Sequence, residues 1–415
     1  MLCWGALLVC FVLPFCIVVV SSHRPPDGDF TGFYSLGEIL KTHPPRDLYD
    51  FDLQMQTCVA AHQSKQGCGV SPYPPFIGLM FWPFALLPYW AAYLLWSVIL
   101  LVLYAAGLAI MLARFFPQEP LRRSLIFCLA FSYCPFILNT AASGQLAAIG
   151  FFALAVVLRE DDLDHCFRSG LALSICAYKP TLLVLLLPML LVTRRFRTLL
   201  GFATGVAALA LGTTAILGTA VWPGFVRAIT LYGRVSVGLQ SYPIRNIIKW
   251  IDFTSFSFLL HGGRSWPVLA LLLGIACWAV ISLFRAWWRS PQSSKPFNSV
   301  LWAATITWTL LLNVYVPVYD SILIVLAIIV TAGALKQLPN GPIHRWFTAI
   351  WVAILASSWF TVALAAATGV QVLTLLIASF GTLEFAILHR IENQAEELEC
   401  EPLRVLAPQT ASKPG

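Results

Sequence analysis

Asp27 and Asp29 stand just beyond an almost charge-free apolar run, residues 2–20. A run of that length crosses a bilayer, so the acidic pair sits where lipid meets water. A carboxylate there is suited to taking a proton from a hydroxyl, as a general base must. Further along, Lys179 interrupts an apolar run and is followed by Pro180, while Tyr319-Asp320 precedes the apolar run 321–327. Ionisable groups at membrane depth are costly and call for a partner or a ligand. Gln145 joins this set, and so do the cations of a later polar stretch. There Arg227 and Arg234 are seven residues apart and Arg245 and Lys249 four apart, interleaved with Trp222, Phe225, Tyr232, Tyr242 and Trp250. Such spacings put each basic pair on one helical face.

One acid that accepts a proton and several cations that stabilise a departing phosphate meet the needs of glycosyl transfer from a lipid phosphate sugar. Each residue also has a plainer reading. Asp29, Asp50 and Asp320 all stand where a helix prefers a capping acid. Lys179 can snorkel, and the basic surface can serve headgroup attraction alone.

The elements that must position these residues are membrane helices. Of 415 residues, 59% are hydrophobic and 11% charged, which excludes a soluble multidomain protein. The net charge of +7 does not point to nucleic acid. Arg114, Arg122, Arg123, Arg159, Arg194, Arg195, Arg197, Arg285 and Lys336 lie in short loops between apolar runs, and positive-inside topology makes that face cytoplasmic. Residues 2–20 lack a basic leader and a small-residue cleavage site, so they are expected to remain as the first span. No Cys/His cluster has zinc spacing, and no metal or cofactor is expected. Most of the eleven Cys fall in apolar runs or on the cytoplasmic side; Cys58 and Cys68 share a loop on the other face, where a disulfide would persist.

The composition predicts an all-α polytopic membrane protein with about 11 to 12 membrane helices. Residues 1–390 form one domain and residues 391–415 a disordered cytoplasmic tail. A first outer loop, 21–75, carries two amphipathic helices, 30–41 and 51–64, and a second outer loop spans 219–266. The apolar segment 76–87, set between Pro75 and Pro88, is too short to cross and is expected to be re-entrant or interfacial. If Lys179-Pro180 breaks residues 170–192 into two half-helices, every basic loop falls on one face. A single kinked span would reverse the later ones.

The ordered set Gly28-Asp29-Phe30 with Tyr34, Leu48-Tyr49-Asp50, Tyr73-Pro74-Pro75, Leu86-Leu87-Pro88, Ala92-Tyr93 with Trp96, Gly144-Gln145, Lys179-Pro180 and Tyr319-Asp320 resembles glycosyltransferase family 87. The likeness runs over about residues 3–330. It implies a GT-C fold, a hexose, mannose in the typical member, taken from a polyprenyl-phosphate sugar, and a lipid or glycan acceptor on the outer face of the bacterial inner membrane. Asp29 matches the catalytic base of an inverting displacement. Lys179 with Arg227, Arg234 and Arg245 would hold the donor phosphate; Tyr319 and Asp320 would lie near the sugar or acceptor, with Asp27, Tyr34 and Gln145 also lining the site. Related sequences often carry a His shortly before the Tyr-Asp pair, where Pro317-Val318 stands here. The rival class is a transporter or lipid flippase, which would place charges at mid-depth in both halves of the chain.

Overall fold

A computed structural model describes residues 28–62, 71–237, 244–262, 265–290, 294–314 and 316–405. Among them are α1 (Asp29–Thr42), α2 (Phe51–His62), α3 (Pro75–Phe81), α4 (Tyr89–Phe115), α5 (Pro120–Phe131), a π-helix (Pro135–Ala142), α6 (Ala147–Asp162), α7 (Cys166–Ser174), α8 (Leu186–Val192), α9 (Phe196–Leu217) and α10 (Val221–Val237). Then follow α11 (Ile244–Ile247), α12 (Phe253–His261), α13 (Trp266–Arg289), α14 (Lys295–Leu311), α15 (Leu323–Leu335), α16 (Pro342–Ser357), α17 (Thr361–Thr368) and α18 (Val372–Val405). The described residues form no strand beyond one isolated bridge, Trp250 to Pro317. The protein is an all-α polytopic membrane protein.

Five described helices are long and apolar enough to cross a membrane, or up to seven if each bent pair counts as one span. The larger number expected from sequence also counted residues 2–20, which lie outside the described residues, and short central helices. Of these, α6 has 16 residues and α14 has 17, and α14 is buried on every side from Val300 to Leu311. Neighbouring helices, not lipid, surround it, so its all-round hydrophobicity is that of a core helix. At the periphery, α9 and α13 turn Leu200, Leu211, Leu271 and Leu273 outward. Lipid is as apolar as leucine, so these helices are held by close backbone packing. Gly201 lies against Phe167 and Leu171, and one turn later Gly205 lies against Leu171 and Ser174.

That ascending register makes α7 and α9 parallel, which settles the course of the chain between them. Cys166 and Phe196 lie at the same end of the bundle, so the segment doubles back at Lys179-Pro180. Short 3₁₀ turns, Ile175–Tyr178 and Pro180–Leu183, flank the break. Proline at 180 removes a backbone donor and pushes Lys179 into extended geometry (φ −136°, ψ 85°). The Asn313 amide donates to the Thr181 carbonyl at 2.8 Å and fixes the turn to the end of α14.

The basic loops consequently meet at one end. Arg114 grips Asp162, Arg195 bonds Asp161, Lys295 reaches the Asp162 carbonyl, Lys336 pairs with Glu119, and Arg289 pairs with Glu392. At the opposite end lie α1 to α3 and the loops around Gly144, Lys249 and Asp320. The 16 residues of α6 separate the two ends by about 24 Å. The final helix continues to Val405, through residues whose composition predicts a disordered tail.

The two helices expected in the first outer loop are α1 and α2, but neither is a simple amphipathic helix: α1 is buried on every side from Phe30 to Gly37, and α2 gathers no distinct apolar stripe. The segment after Pro75 forms α3 and a 3₁₀ turn, Phe84–Leu86, packed under α1 rather than across the bundle. Gly37 makes that contact possible, because a Cβ there would stand 2.4 Å from the Phe81 carbonyl oxygen. Trp82 and Leu86 remain exposed at its rim, where an interfacial segment meets lipid. Cys58 is disulfide-bonded, while Cys134, Cys166, Cys176 and Cys277 are free thiols. Cys68 lies outside the described residues; we propose it as the partner. Peptide mapping without reduction is expected to yield a Cys58–Cys68 crosslink, and alkylation of Cys68 in unreduced protein would exclude it.

Candidate active site

The site begins with two glycines that let two backbones touch. The π-helix widens its turn and frees carbonyls that need donors. Three side chains of α4 answer them: the Tyr93 hydroxyl donates to Ala142 at 2.7 Å, the Trp96 indole to Gly144 at 2.8 Å and the Ser97 hydroxyl to Ala141 at 3.4 Å. The turn so fixed receives the start of α1, where the Phe30 amide donates to the Ser143 carbonyl at 3.0 Å. A Cβ on Gly28 would stand 2.6 Å from that carbonyl oxygen, and one on Gly144, whose φ is +74°, would stand 2.5 Å from the Phe30 Cβ. Gly144→Ala is therefore expected to destabilise the protein by about 1–2 kcal/mol from backbone strain alone, before the clash displaces Asp29. A thermal unfolding midpoint equal to wild type would contradict this docking.

Three aspartates near helix starts now separate by role. Asp50 caps α2, accepting from the Leu53 amide at 3.0 Å. Asp29 does not cap; Gly28 holds the N-cap position, and the Asp29 carboxylate accepts a hydrogen bond from the Gln145 side-chain amide. Asp320, buried in the 3₁₀ turn Val318–Ile322, pairs with Lys179. The Lys179 ammonium also sits over the Tyr319 ring, 4.8 Å from its centre.

Lys249 completes the group. The main chain at 249–251 docks on residues 316–318, with Val318 donating to the Lys249 carbonyl at 2.8 Å and Ile251 donating to the Val316 carbonyl at 2.9 Å. Asp252 holds the corner: its carboxylate accepts from the Ser255 amide and hydroxyl at 2.9 and 2.8 Å and from the Val316 amide at 3.2 Å. Burial raises the Asp252 pKa to about 6, with those donors pulling it back down.

Asp29 is reached by solvent, yet protein surrounds it closely enough to cost its anion hydration. That loss raises its pKa to about 6, against the pull of Lys179 and Lys249 and with a smaller push from Asp320. A carboxyl poised near neutrality in a recess fits a proton acceptor better than a structural cap. Asp27-Gly28-Asp29 also has the D-x-D spacing that holds a divalent cation in nucleotide-sugar enzymes. Two lysines already face Asp29 here, and Asp27 lies outside the described residues.

The structure thus brings Asp29, Gln145, Lys179, Tyr319 and Asp320 together, and adds Lys249. It does not bring in Tyr34, whose hydroxyl donates to the Leu87 carbonyl at 2.9 Å and to Glu38 at 3.1 Å, fastening α1 to the turn before α4. Arg227 is exposed on α10, whose buried stripe of Val221 and Ala228 packs over the first loop through a Phe225–Tyr49 ring contact of 5.6 Å. Arg234 lies on the same helix. Arg245 and Lys249 do not share a helical face, because α11 ends at Ile247 and Lys249 lies in the turn beyond it. The side chains of Arg234 and Arg245, and all of Asp27, lie outside the described residues.

Fold and site define a polytopic membrane protein with a polar, carboxylate-bearing recess at one end of its helix bundle. A model of glycosyltransferase family 87 matches residues 72–313, more than half of the chain, and the chain belongs to that family. It is a membrane glycosyltransferase. The matched stretch contains Gly144-Gln145, Lys179-Pro180 and Lys249; it begins after Asp29 and ends before Tyr319-Asp320. No curated protein and no solved structure matches the chain.

Proposed function

We propose that this GT-C-type enzyme transfers a hexose, mannose by family resemblance, from a polyprenyl-phosphate sugar to a lipid-linked or glycan acceptor on the outer face of the bacterial inner membrane. The observation that carries the reading is the meeting of one near-neutral carboxyl with two lysines at the end opposite the basic loops. Asp29 takes the proton of the acceptor hydroxyl as its oxygen attacks the anomeric carbon. The bond to the phosphate breaks on the other side of the sugar, and configuration inverts. Lys179 and Lys249 stabilise the charge growing on the departing phosphate, with Arg227, Arg234 and Arg245 on the covering segment drawing the anionic donor in. Gln145 fixes the carboxylate, and Tyr319 with Asp320 orients Lys179 and borders the sugar or acceptor. Asp27, two residues before Asp29 in the sequence, is the second candidate acid.

An apolar groove supports a lipid carrier. It holds a cavity of about 160 Å³ between α5, α15 and α16, walled by Leu129, Ile328, Trp351 and Ile354. It reaches Tyr133, whose hydroxyl bonds the Ser321 hydroxyl at 2.8 Å, next to Asp320. A prenyl chain lying there would bring its phosphate toward Lys179.

Positive-inside topology puts Arg122 in the cytoplasm and Asp50 outside. In a background without free cysteines, Asp50→Cys is expected to react with an impermeant maleimide added outside intact cells, and Arg122→Cys is not. The opposite pattern would place the site on the cytoplasmic face. Envelope lipids and glycans compared with and without the protein are expected to differ by a hexose on one acceptor, and identical profiles would contradict the proposed reaction.

A further inference from the structure

At the basic end, far from Asp29, the ends of α6, α7, α9 and α14 enclose a second cavity of about 540 Å³. Its acids are already neutralised. Asp161 bonds Arg195 and the Trp302 indole, both at 2.8 Å. Asp162 takes a forked Arg114 at 2.5 and 2.6 Å, and Asp164 faces Lys295 at 3.4 Å. Arg194 and Arg197 line the same space, are exposed, and have no ion pair among the described residues. The cavity therefore carries surplus positive charge.

It also receives the start of a long helix. α9 runs for 22 residues with no side-chain cap and no acid in its first turn. The Phe196 amide bonds the Arg194 carbonyl and the Leu199 amide bonds the Arg195 carbonyl, leaving the Arg197 and Thr198 amides without a backbone partner among the described residues. These free donors stand at the positive end of the helix dipole. An independent observation points to a ligand there. Thr198 lines the cavity, is fully buried, and its hydroxyl has no hydrogen-bond partner. A threonine inside a helix usually turns its hydroxyl to the carbonyl four residues back. Here that carbonyl belongs to Arg194, outside the helix, and is occupied by the Phe196 amide. Across the cavity, Asn298 Oδ1 is a second buried polar atom without a partner. Buried polar groups left unpaired are rare and call for an explanation.

We infer that this cavity binds the phosphate headgroup of an anionic phospholipid. The Arg194 and Arg197 guanidiniums, the Arg197 and Thr198 amides and the Thr198 hydroxyl hold the phosphate; Asn298 accepts from a headgroup hydroxyl. A lipid is favoured over a soluble phosphate ester because Phe196, which lines the cavity, is exposed, and α9 continues from it with exposed Leu200 and Leu211, which places the mouth at the membrane boundary. Clustered basic groups on that side of a membrane attract anionic headgroups.

The test uses the full chain in a neutral detergent. Thermal unfolding is followed during titration with dihexanoyl-phosphatidylglycerol, the matching phosphatidylcholine, and inorganic phosphate. Phosphatidylglycerol is expected to raise the Tm of the wild type, and the phosphatidylcholine is not. The Arg194→Gln, Arg197→Gln double variant is expected to bind phosphatidylglycerol at least about tenfold more weakly, since each charged hydrogen bond is worth that much or more. Thr198→Val gives a reading that a packing role would reverse. If the hydroxyl is only badly packed, valine raises the Tm without lipid and leaves the affinity unchanged; a ligand role makes the affinity fall. Equal phosphatidylglycerol affinity in the wild type and both variants would overturn the site. Inorganic phosphate binding as tightly as phosphatidylglycerol, and lost in the double variant, would overturn the lipid and leave a soluble phosphate ester.

Discussion

Asp29→Asn is expected to lower transfer by about 10²- to 10⁴-fold and leave the fold intact. The amide keeps the volume of the carboxyl and an oxygen for the Gln145 amide, and removes only the capacity to take a proton. The pH profile supplies a second signature. With a pKa of about 6, Asp29 is a base above that pH and a neutral acid below it. Wild-type kcat/KM is therefore expected to be flat above pH 6 and to fall about tenfold per unit below it, and the Asn variant lacks this limb. Stability runs the other way. A carboxyl whose folded pKa is raised binds its proton more tightly in the folded state, so its contribution to stability declines as pH rises from the unfolded value toward 6. The Asn variant is expected to be no less stable than the wild type at neutral pH. Near-normal turnover in that variant would move the base to Asp27.

Lys179→Met is expected to cost about 3–5 kcal/mol of stability, because it strands the buried Asp320 carboxylate without its partner. It is also expected to lower transfer by about 10²-fold or more, if the ammonium stabilises the leaving phosphate. One variant cannot separate these effects, but the pair can. Replacing both partners, Lys179→Met with Asp320→Leu, removes the buried charges together, and apolar substitution of a buried pair is commonly neutral or stabilising. The double variant is expected to regain its unfolding midpoint while remaining inactive. Recovery of transfer along with stability would mean that the ion pair only braces the Lys179-Pro180 turn.

Much of the architecture was legible because bilayers impose simple rules. Apolar runs announced helices, Pro75 and Pro88 bounded the interfacial segment, and the basic loops shared one face. The count of spans was less legible, since a short helix buried among neighbours, such as α14, reads the same as one facing lipid. Lys179 declared itself by cost alone, a charge before proline in an apolar run. Its partner did not, because Asp320 is 141 residues away and stands where a cap is also plausible. Hydrogen-bond geometry, absent from any spacing rule, divided Asp29 and Asp320 from the capping Asp50. Lys249 appeared in the sequence as one of several cations; only the bridge between residues 250 and 317, locked by Asp252, carries it to Asp29. Tyr34 misled for the converse reason. It stands five residues after Asp29 in the motif, yet its hydroxyl is spent on Glu38 and Leu87.

The most direct measurement is single-turnover transfer by the purified enzyme from a β-linked polyprenyl-phosphate mannose, with product configuration read by NMR and the Asp29→Asn variant run in parallel. The account predicts an α-linked product, release of one polyprenyl phosphate per sugar transferred, and a single-turnover rate about 10²- to 10⁴-fold lower in the variant. A β-linked product, transfer from a nucleotide sugar in place of the lipid donor, or an unchanged single-turnover rate in the variant would contradict it.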